Sequence, residues 1–322
     1  MLCALAISQG RLKEINVTIY PNYYKNFSCI ADKCNHSCCI GWEIDIDEDT
    51  LEYYENMEGK MGELVRSRIS YDGDPHFCLG NGDRCPFLND RNLCDLILGL
   101  GEESLCYICS EHPRFKNEFG DRLEIGLGLC CEEAGRIILG QKEDFYLESD
   151  ESIETDDEII ILRDKAIAAM QEKEKSFEDK CRDMLSLCGF EGKIANTEYM
   201  LRVLLTLEAL DGEWHSFVSD VLSSNSCESV IDENSKMYEN LVIYFLYRYM
   251  ANSESLNEAA IRAAFAVSAC KVVYAMSEYI CKNQGSFDLS DIVELCRRFS
   301  SEVEYDLDNL EIYMEECYEH NR

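Results

Sequence analysis

The sequence predicts a mainly α protein in two parts: a cysteine-rich, metal-binding N-terminal domain of short helices and loops, followed by an all-α helical bundle domain. Three observations lead there. Eleven of the nineteen cysteines lie between Cys29 and Cys131. All four prolines fall within the first 113 residues, so nothing interrupts helices beyond that point. Past residue 158 every strong hydrophobic pattern has helical period. With 322 residues, 46% of them hydrophobic, the chain can bury a core in each of two domains of roughly 100–200 residues.

Taken in order, the N-terminus, Met1 to Gly10, has a short apolar run with no basic stretch before it. It falls short of the ~18 residues of a membrane span, so neither export nor a membrane is expected and the protein is read as cytoplasmic. In a reducing cytosol, clustered cysteines are metal ligands more often than disulfides. Net charge is −33, from 63 acidic and 30 basic residues, which repels phosphate backbones and anionic lipid and excludes nucleic acid as a partner. Before residue 140 there are 24 acidic and 13 basic residues, leaving 39 and 17 after it, so both parts are acidic. A basic protein surface is the favoured macromolecular substrate, and the same charge also serves plain solubility.

The first cysteine cluster is Cys29-x4-Cys34-x3-Cys38-Cys39, followed by Ile40, Gly41 and Trp42. Four thiols within eleven residues can converge on one centre, each gaining by coordination as a thiolate. The second runs Cys85-Pro86-Phe87-Leu88, Leu93-Cys94, then Cys106-x2-Cys109, a spacing shared by zinc ribbons, iron–sulfur sites and redox dithiols. No βαβ pattern surrounds it, which weakens the dithiol reading. Cys130-Cys131 opens an amphipathic helix, CCEEAGRIIL, whose N-terminal dipole is expected to lower a thiol pKa. His36 and His112 stand near these thiols but read as surface residues. Gly126-Leu127-Gly128 is too little for a nucleotide-binding fingerprint, and no P-loop motif occurs.

Residues 142–158, KEDFYLESDESIETDDE, hold nine acidic residues without apolar periodicity and read as an acidic linker between domains 1–141 and 159–322. Beyond it, residues 159–187 form a charged amphipathic stretch. Thr197 reads as the N-cap of EYMLRVLLTLEAL, with Leu201, Leu204, Leu205 and Leu207 at helical spacing. KMYENLVIYFLYRYM, residues 236–250, is apolar almost all round and reads as a central buried helix whose Tyr238, Phe245 and Tyr249 are core rather than a cofactor box. Two more helical stretches, 259–281 and 289–318, complete the bundle. The isolated cysteines Cys181, Cys188, Cys227, Cys270, Cys281, Cys296 and Cys317 are read as core packers.

CIADKCNHSCCIGWEIDID, CPFLNDRNLCDLILGLGEESLCYICSEHPR and LGLCCEEAGRIIL, in that order, resemble the flagellin lysine-N-methylase family, itself related to cysteine-rich iron- or zinc-chelating domains. The resemblance is specific from Tyr20 to Leu139 and looser through the helical part, where ENLVIYFLYRYM is similar to a family segment. Cys29, Cys34, Cys38, Cys39, Cys85, Cys94, Cys109 and Cys131 match the family pattern, whereas Cys78, Cys106 and Cys130 are extra. The resemblance implies methyl transfer from S-adenosylmethionine to surface lysines of flagellin, with a [4Fe–4S] cluster, or zinc in its place, the eight thiols holding one cluster with spares or two metal centres. Where the family has Cys-Pro-Glu this chain has Cys131-Glu132-Glu133. The CxxxCxxC pattern of reductive S-adenosylmethionine cleavage is absent, Gly41 standing where its third ligand would be, so radical and polar routes both stay open. On a polar route a carboxylate takes the amine proton, and Asp45 and Asp47, beside Glu43, are the candidates nearest the first cluster. The alternative is a non-enzymatic zinc- or iron-chelating module built on the same thiols.

Overall fold

The computed structural model describes residues 17–224 and 231–319. In the cysteine-rich part, β1 (Val17–Pro21) precedes α1 (Glu48–Asn56), α2 (Gly59–Arg66) and the two-residue strands β2 (Ile69–Ser70) and β3 (His76–Phe77). Two short helices, α3 (Asp95–Leu100) and α4 (Tyr107–Glu111), lead to the hairpin of β4 (Arg114–Phe119) and β5 (Arg122–Leu127), and then to α5 (Glu132–Leu139). After β6 (Leu147–Glu148) come α6 (Glu158–Met170), α7 (Phe177–Leu187), β7 (Lys193–Ile194), α8 (Thr197–Leu204) and α9 (Trp214–Ser223). The bundle closes with α10 (Ile231–Tyr249), α11 (Leu256–Gln284), α12 (Leu289–Phe299) and α13 (Leu307–Glu316), and β8 (Tyr318–Glu319) pairs back on β7. The protein is thus mainly helical, as the sequence predicts.

Local chemistry sets the ends of these helices. Asp157, Ser176, Ser255, Asp288 and Asp306 each accept backbone N–H bonds of the turn they open. The stretch 159–187 is two helices, because QEKEKS at 171–176 offers no apolar residue to bury and Ser176 starts α7 afresh. The cap of α8 is Asn196, not Thr197: Asn196 has the extended backbone and accepts Tyr199 N at 2.8 Å, while Thr197 lies inside the first turn. Gly285, at φ +77°, ends the long α11 in the left-handed region that glycine reaches without strain.

The N-terminal part holds more regular structure than loops around metal. A four-stranded sheet runs in the order β4-β5-β1-β6, with β1 parallel to β5 in the register Val17↔Arg122 and Ile19↔Glu124. Its hairpin turns at Gly120, φ +70°. Residues 44–106 also enclose a hydrophobic core of their own, including Ile44, Ile46, Tyr54, Val65, Phe77 and Phe87.

A second, larger core runs from Tyr23 and residues 127–139 through the helices after residue 158. The acidic stretch joins it: Phe145 is buried there, and Leu147–Glu148 add a strand to the sheet. A fully buried ion pair, Arg163 of α6 with Glu124 of β5, ties helices to sheet, and Arg122 Nε donates to the same carboxylate at 2.7 Å. At the centre, α10 packs on α11, and Phe245 meets Phe265 and Phe299 edge-on at 5.2 and 6.1 Å. α11 is long and apolar enough to cross a membrane, yet it is mostly buried among α8, α10 and α12. Cys181, Cys188, Cys270, Cys296 and Cys317 are buried in this core as expected, and Cys281 partly so. Cys3 and Cys227 lie outside the described residues.

Candidate functional site

The thiols of the cysteine-rich part fall into two groups. The first forms where the loop carrying Cys29, Cys34 and Cys38 lies over the start of α5. That loop turns through two 3-10 segments and a positive φ of 50° at Ala31. Glu132, in the first turn of α5, clamps it: one carboxylate oxygen accepts Asn35 N at 2.8 Å and the other accepts Asn35 Nδ2 at 3.0 Å. The Cys34 thiol lies 3.6 Å from the same carboxylate and donates to the His36 carbonyl at 3.1 Å. Cys131, the residue that opens α5, therefore faces the loop. Charge on Cys131 is felt at Cys34 and Cys38, and charge on Cys29 is felt at Cys38 and Cys131. Burial first, then Glu132 and Cys131, push the Cys34 thiol up to about 11.

Cys39 links this group to the second, since its thiol meets that of Cys38. Its carbonyl accepts Cys85 N at 2.8 Å, and its side chain packs on the core of residues 44–106 together with Cys94 and Cys109. Cys85 and Cys106 are buried within that core. Backbone bridges Ile40↔Arg84 and Leu88↔Cys94 hold the segments side by side. Cys94 and Cys106 open α3 and α4, and Cys109 N bonds Cys106 O at 3.0 Å. Burial raises the Cys85 thiol to about 12, and the neighbouring Cys39, Cys94 and Cys106 add to the shift. The hydrogen bond from Cys38 draws Cys39 down to about 7.

Among the described residues, no group of three or more His, Cys, Asp or Glu side chains stands ready-made in ligating geometry. The donor chemistry still fits thiophilic metal: the eight family-matching thiols divide into four about α5 (Cys29, Cys34, Cys38, Cys131) and four about the smaller core (Cys39, Cys85, Cys94, Cys109), with Cys106 beside the latter. Exposed Cys78 joins neither in the contacts described, and its N–H bonds Arg68 O at 2.8 Å.

The expected lowering of thiol pKa at Cys130-Cys131 is corrected. Burial pushes Cys130 up to about 12 and raises Cys131, outweighing hydrogen bonds from the first backbone N–H groups of α5 to Cys131. His36 reaches Glu294 at 3.1 Å, joining the loop to α12. His112 is held down to about 4, by burial and then Arg114, so it is neutral at working pH.

Asp45 and Asp47 have different settings. Asp47 caps α1, accepting Thr50 N at 3.0 Å and Thr50 Oγ1 at 2.8 Å, and also takes Tyr107 N at 2.7 Å. Asp45 is exposed on a bridge opposite His76, and desolvation, then Glu43 and Asp74, raise its pKa.

Behind Cys130 stands a polar network that the sequence reading missed. Five backbone positions at 300–304 form a π-turn that carries Glu304 inward. Its Oε2 accepts the Tyr244 and Tyr249 hydroxyls at 2.9 and 2.7 Å and pairs with Arg248 at 3.2 Å. Tyr305 donates to the Cys130 sulfur and meets Trp42 at 5.6 Å. Gly128 is required here, since a Cβ would sit 2.7 Å from the Tyr305 hydroxyl. The available signal was Arg248, a lone cation in the apolar run LVIYFLYRYM.

Residues 136–322 match the family model of the FliB lysine N-methylase C-terminal domain, so that match lies on the helical part and not on the cysteine motifs. The flagellar biosynthetic protein FliU of Salmonella muenchen is 30% identical over 152 residues, 42% of this chain and 88% of that protein. The lysine-N-methylases of Salmonella choleraesuis and Salmonella typhimurium are each 30% identical over 142 residues, 41% of this chain and 34% of theirs, so the alignment spans about a third of those relatives. No solved structure matches the chain. With more than half its length under that family model, and 30% identity to a relative aligned over most of its own length, the chain belongs to the FliB lysine N-methylase family.

Proposed function

We propose that the protein is a cytoplasmic protein-lysine N-methyltransferase that moves methyl groups from S-adenosylmethionine to surface lysines of flagellin. The observation that carries the activity is the family membership of the helical part, with relatives named for flagellar biosynthesis and lysine methylation. The clamp of Asn35 by Glu132 supports a metal centre at Cys29, Cys34, Cys38 and Cys131, where a [4Fe–4S] cluster would be held; zinc is the alternative occupant. The second four, Cys39, Cys85, Cys94 and Cys109, would hold a separate centre within the smaller core. Bound metal supplies cross-links between segments far apart in sequence.

The CxxxCxxC motif is missing, which favours polar transfer. The neutral lysine amine attacks the sulfonium methyl carbon, the carbon–sulfur bond breaks as the carbon–nitrogen bond forms, and S-adenosylhomocysteine leaves with the electron pair. The methylated amine then loses its proton. Asp47 is committed to capping α1, whereas Asp45 presents an exposed carboxylate that attracts lysine ammonium groups toward the protein, and the proton released on transfer passes to solvent.

The test is anaerobic purification, with iron, sulfide and zinc analysis, followed by incubation with flagellin and methyl-labelled S-adenosylmethionine. Label should appear on flagellin lysines. Metal-loaded protein that transfers no label would overturn the reading.

A further inference from the structure

A cavity of about 850 Å³ opens between α7, α11 and the turn that follows α7. That volume lies within the roughly 300–1,000 Å³ of small-molecule sites. All its lining residues fall between Phe177 and Tyr274, inside the region matched to the lysine N-methylase C-terminal domain. Its walls are aromatic: Phe177 and Phe190 come from α7 and the following turn, and Tyr238 and Tyr274 meet edge-on at 5.4 Å.

One polar side chain of α11 opens onto it. Lys271 is exposed in the middle of α11, between the buried Cys270 and Val272, because the cavity opens beside it. No carboxylate pairs with it among the described residues. Tyr238, 1% exposed, lends its ring to the wall, while its buried hydroxyl lies beside Ser277, which is outside the lining. The lining carries Arg182, Lys193 and Lys271 with Glu178 and Glu191, and Arg182 is paired with Asp179 and Asp183.

We propose that this cavity is the S-adenosylmethionine site, an inference that rests on the methyltransferase reading above. The aromatic walls suit an adenine ring, Lys271 suits the amino-acid carboxylate, and the glutamates at the rim suit the ammonium. The donor site is separate from the thiol groups. Tyr238 and Arg248 stand ten residues apart on α10, about 15 Å at 1.5 Å per residue, and Arg248 is the end that meets Cys130.

Calorimetric titration of the full-length, metal-loaded protein with S-adenosylmethionine and S-adenosylhomocysteine tests this. Lys271→Met and Phe190→Ala should each weaken binding about tenfold, as expected for losing a charged contact or a stacking wall. Cys131→Ser, checked for unchanged helical content, should bind like wild type. Absence of binding by wild type, wild-type affinity in both cavity variants, or loss of binding in a folded Cys131→Ser protein would each overturn the cavity assignment. Methyl transfer to flagellin, measured alongside, separates the two readings. If binding follows the cavity variants but flagellin gains no label, the site stands and the transferase reading falls. If flagellin is labelled equally by all cavity variants, the transferase reading stands and the site falls.

Discussion

Asp47 shows how a carboxylate can be committed before any chemistry begins. Burial raises its pKa, but the bonds from Tyr107 N and Thr50 more than offset this and hold it below the usual carboxylate value. A group depressed in the folded state stabilises above the unfolded pKa, about 4, and loses that contribution as pH falls through the folded value. Asp47→Ala should therefore cost about 1–2 kcal/mol at neutral pH. The gap from wild type in urea midpoint should close as the medium is acidified below about pH 4; a constant gap would contradict this. The thiol groups give a second residue-level expectation. Cys34→Ala should lose the metal of the α5 group and keep that of the smaller core, and Cys85→Ala should do the reverse. Total metal loss in either variant would mean one shared centre.

At the scale of elements, the contact that ties the sheet to the bundle is the buried pair Arg163–Glu124. Glu124→Ala takes the shared carboxylate from both Arg163 and Arg122 and should destabilise by about 3–5 kcal/mol in denaturant titration, whereas Arg163→Ala leaves Glu124 paired with Arg122 and should cost less. Much of the bundle was legible in the sequence, because a helix declares itself through a local period and through cap residues such as Ser176, Ser255 and Asp288. The sheet was not, since β1 pairs in parallel with β5 across about a hundred intervening residues and neither strand alternates cleanly enough to predict its partner. The π-turn at 300–304 was hidden too, because it interrupts what reads as one helical stretch.

Over the whole molecule, the two cores should respond differently to metal removal. Cys85 and Cys106 are buried in the smaller core, with Cys39, Cys94 and Cys109 packed against it. Chelation should expose residues 44–109 to protease first, while the larger core, which contains none of these thiols, stays protected. Equal loss of protection in both would refute this. Charge acts at the same scale. With a net charge of −33, attraction of a lysine-bearing surface should be long-ranged. Because the Debye length falls from about 10 Å at 0.1 M salt to about 3 Å at 1 M, kcat/KM for flagellin should fall over that range while kcat holds.

The sequence by itself determined the helical bundle, the concentration of thiols before residue 140 and the family to which they point, because periodicity, caps and motif spacing are properties of neighbouring residues. Tertiary structure decided which thiols meet. The Cys34 loop finds its partner 98 residues away at Glu132, while Cys39, its thiol in contact with that of Cys38, also packs on the smaller core. It also decided that Asp47 caps a helix, that Glu304 lies behind Cys130 and that Lys271 opens onto a cavity. Each depends on burial and on segments brought together from afar, and spacing along the chain records neither.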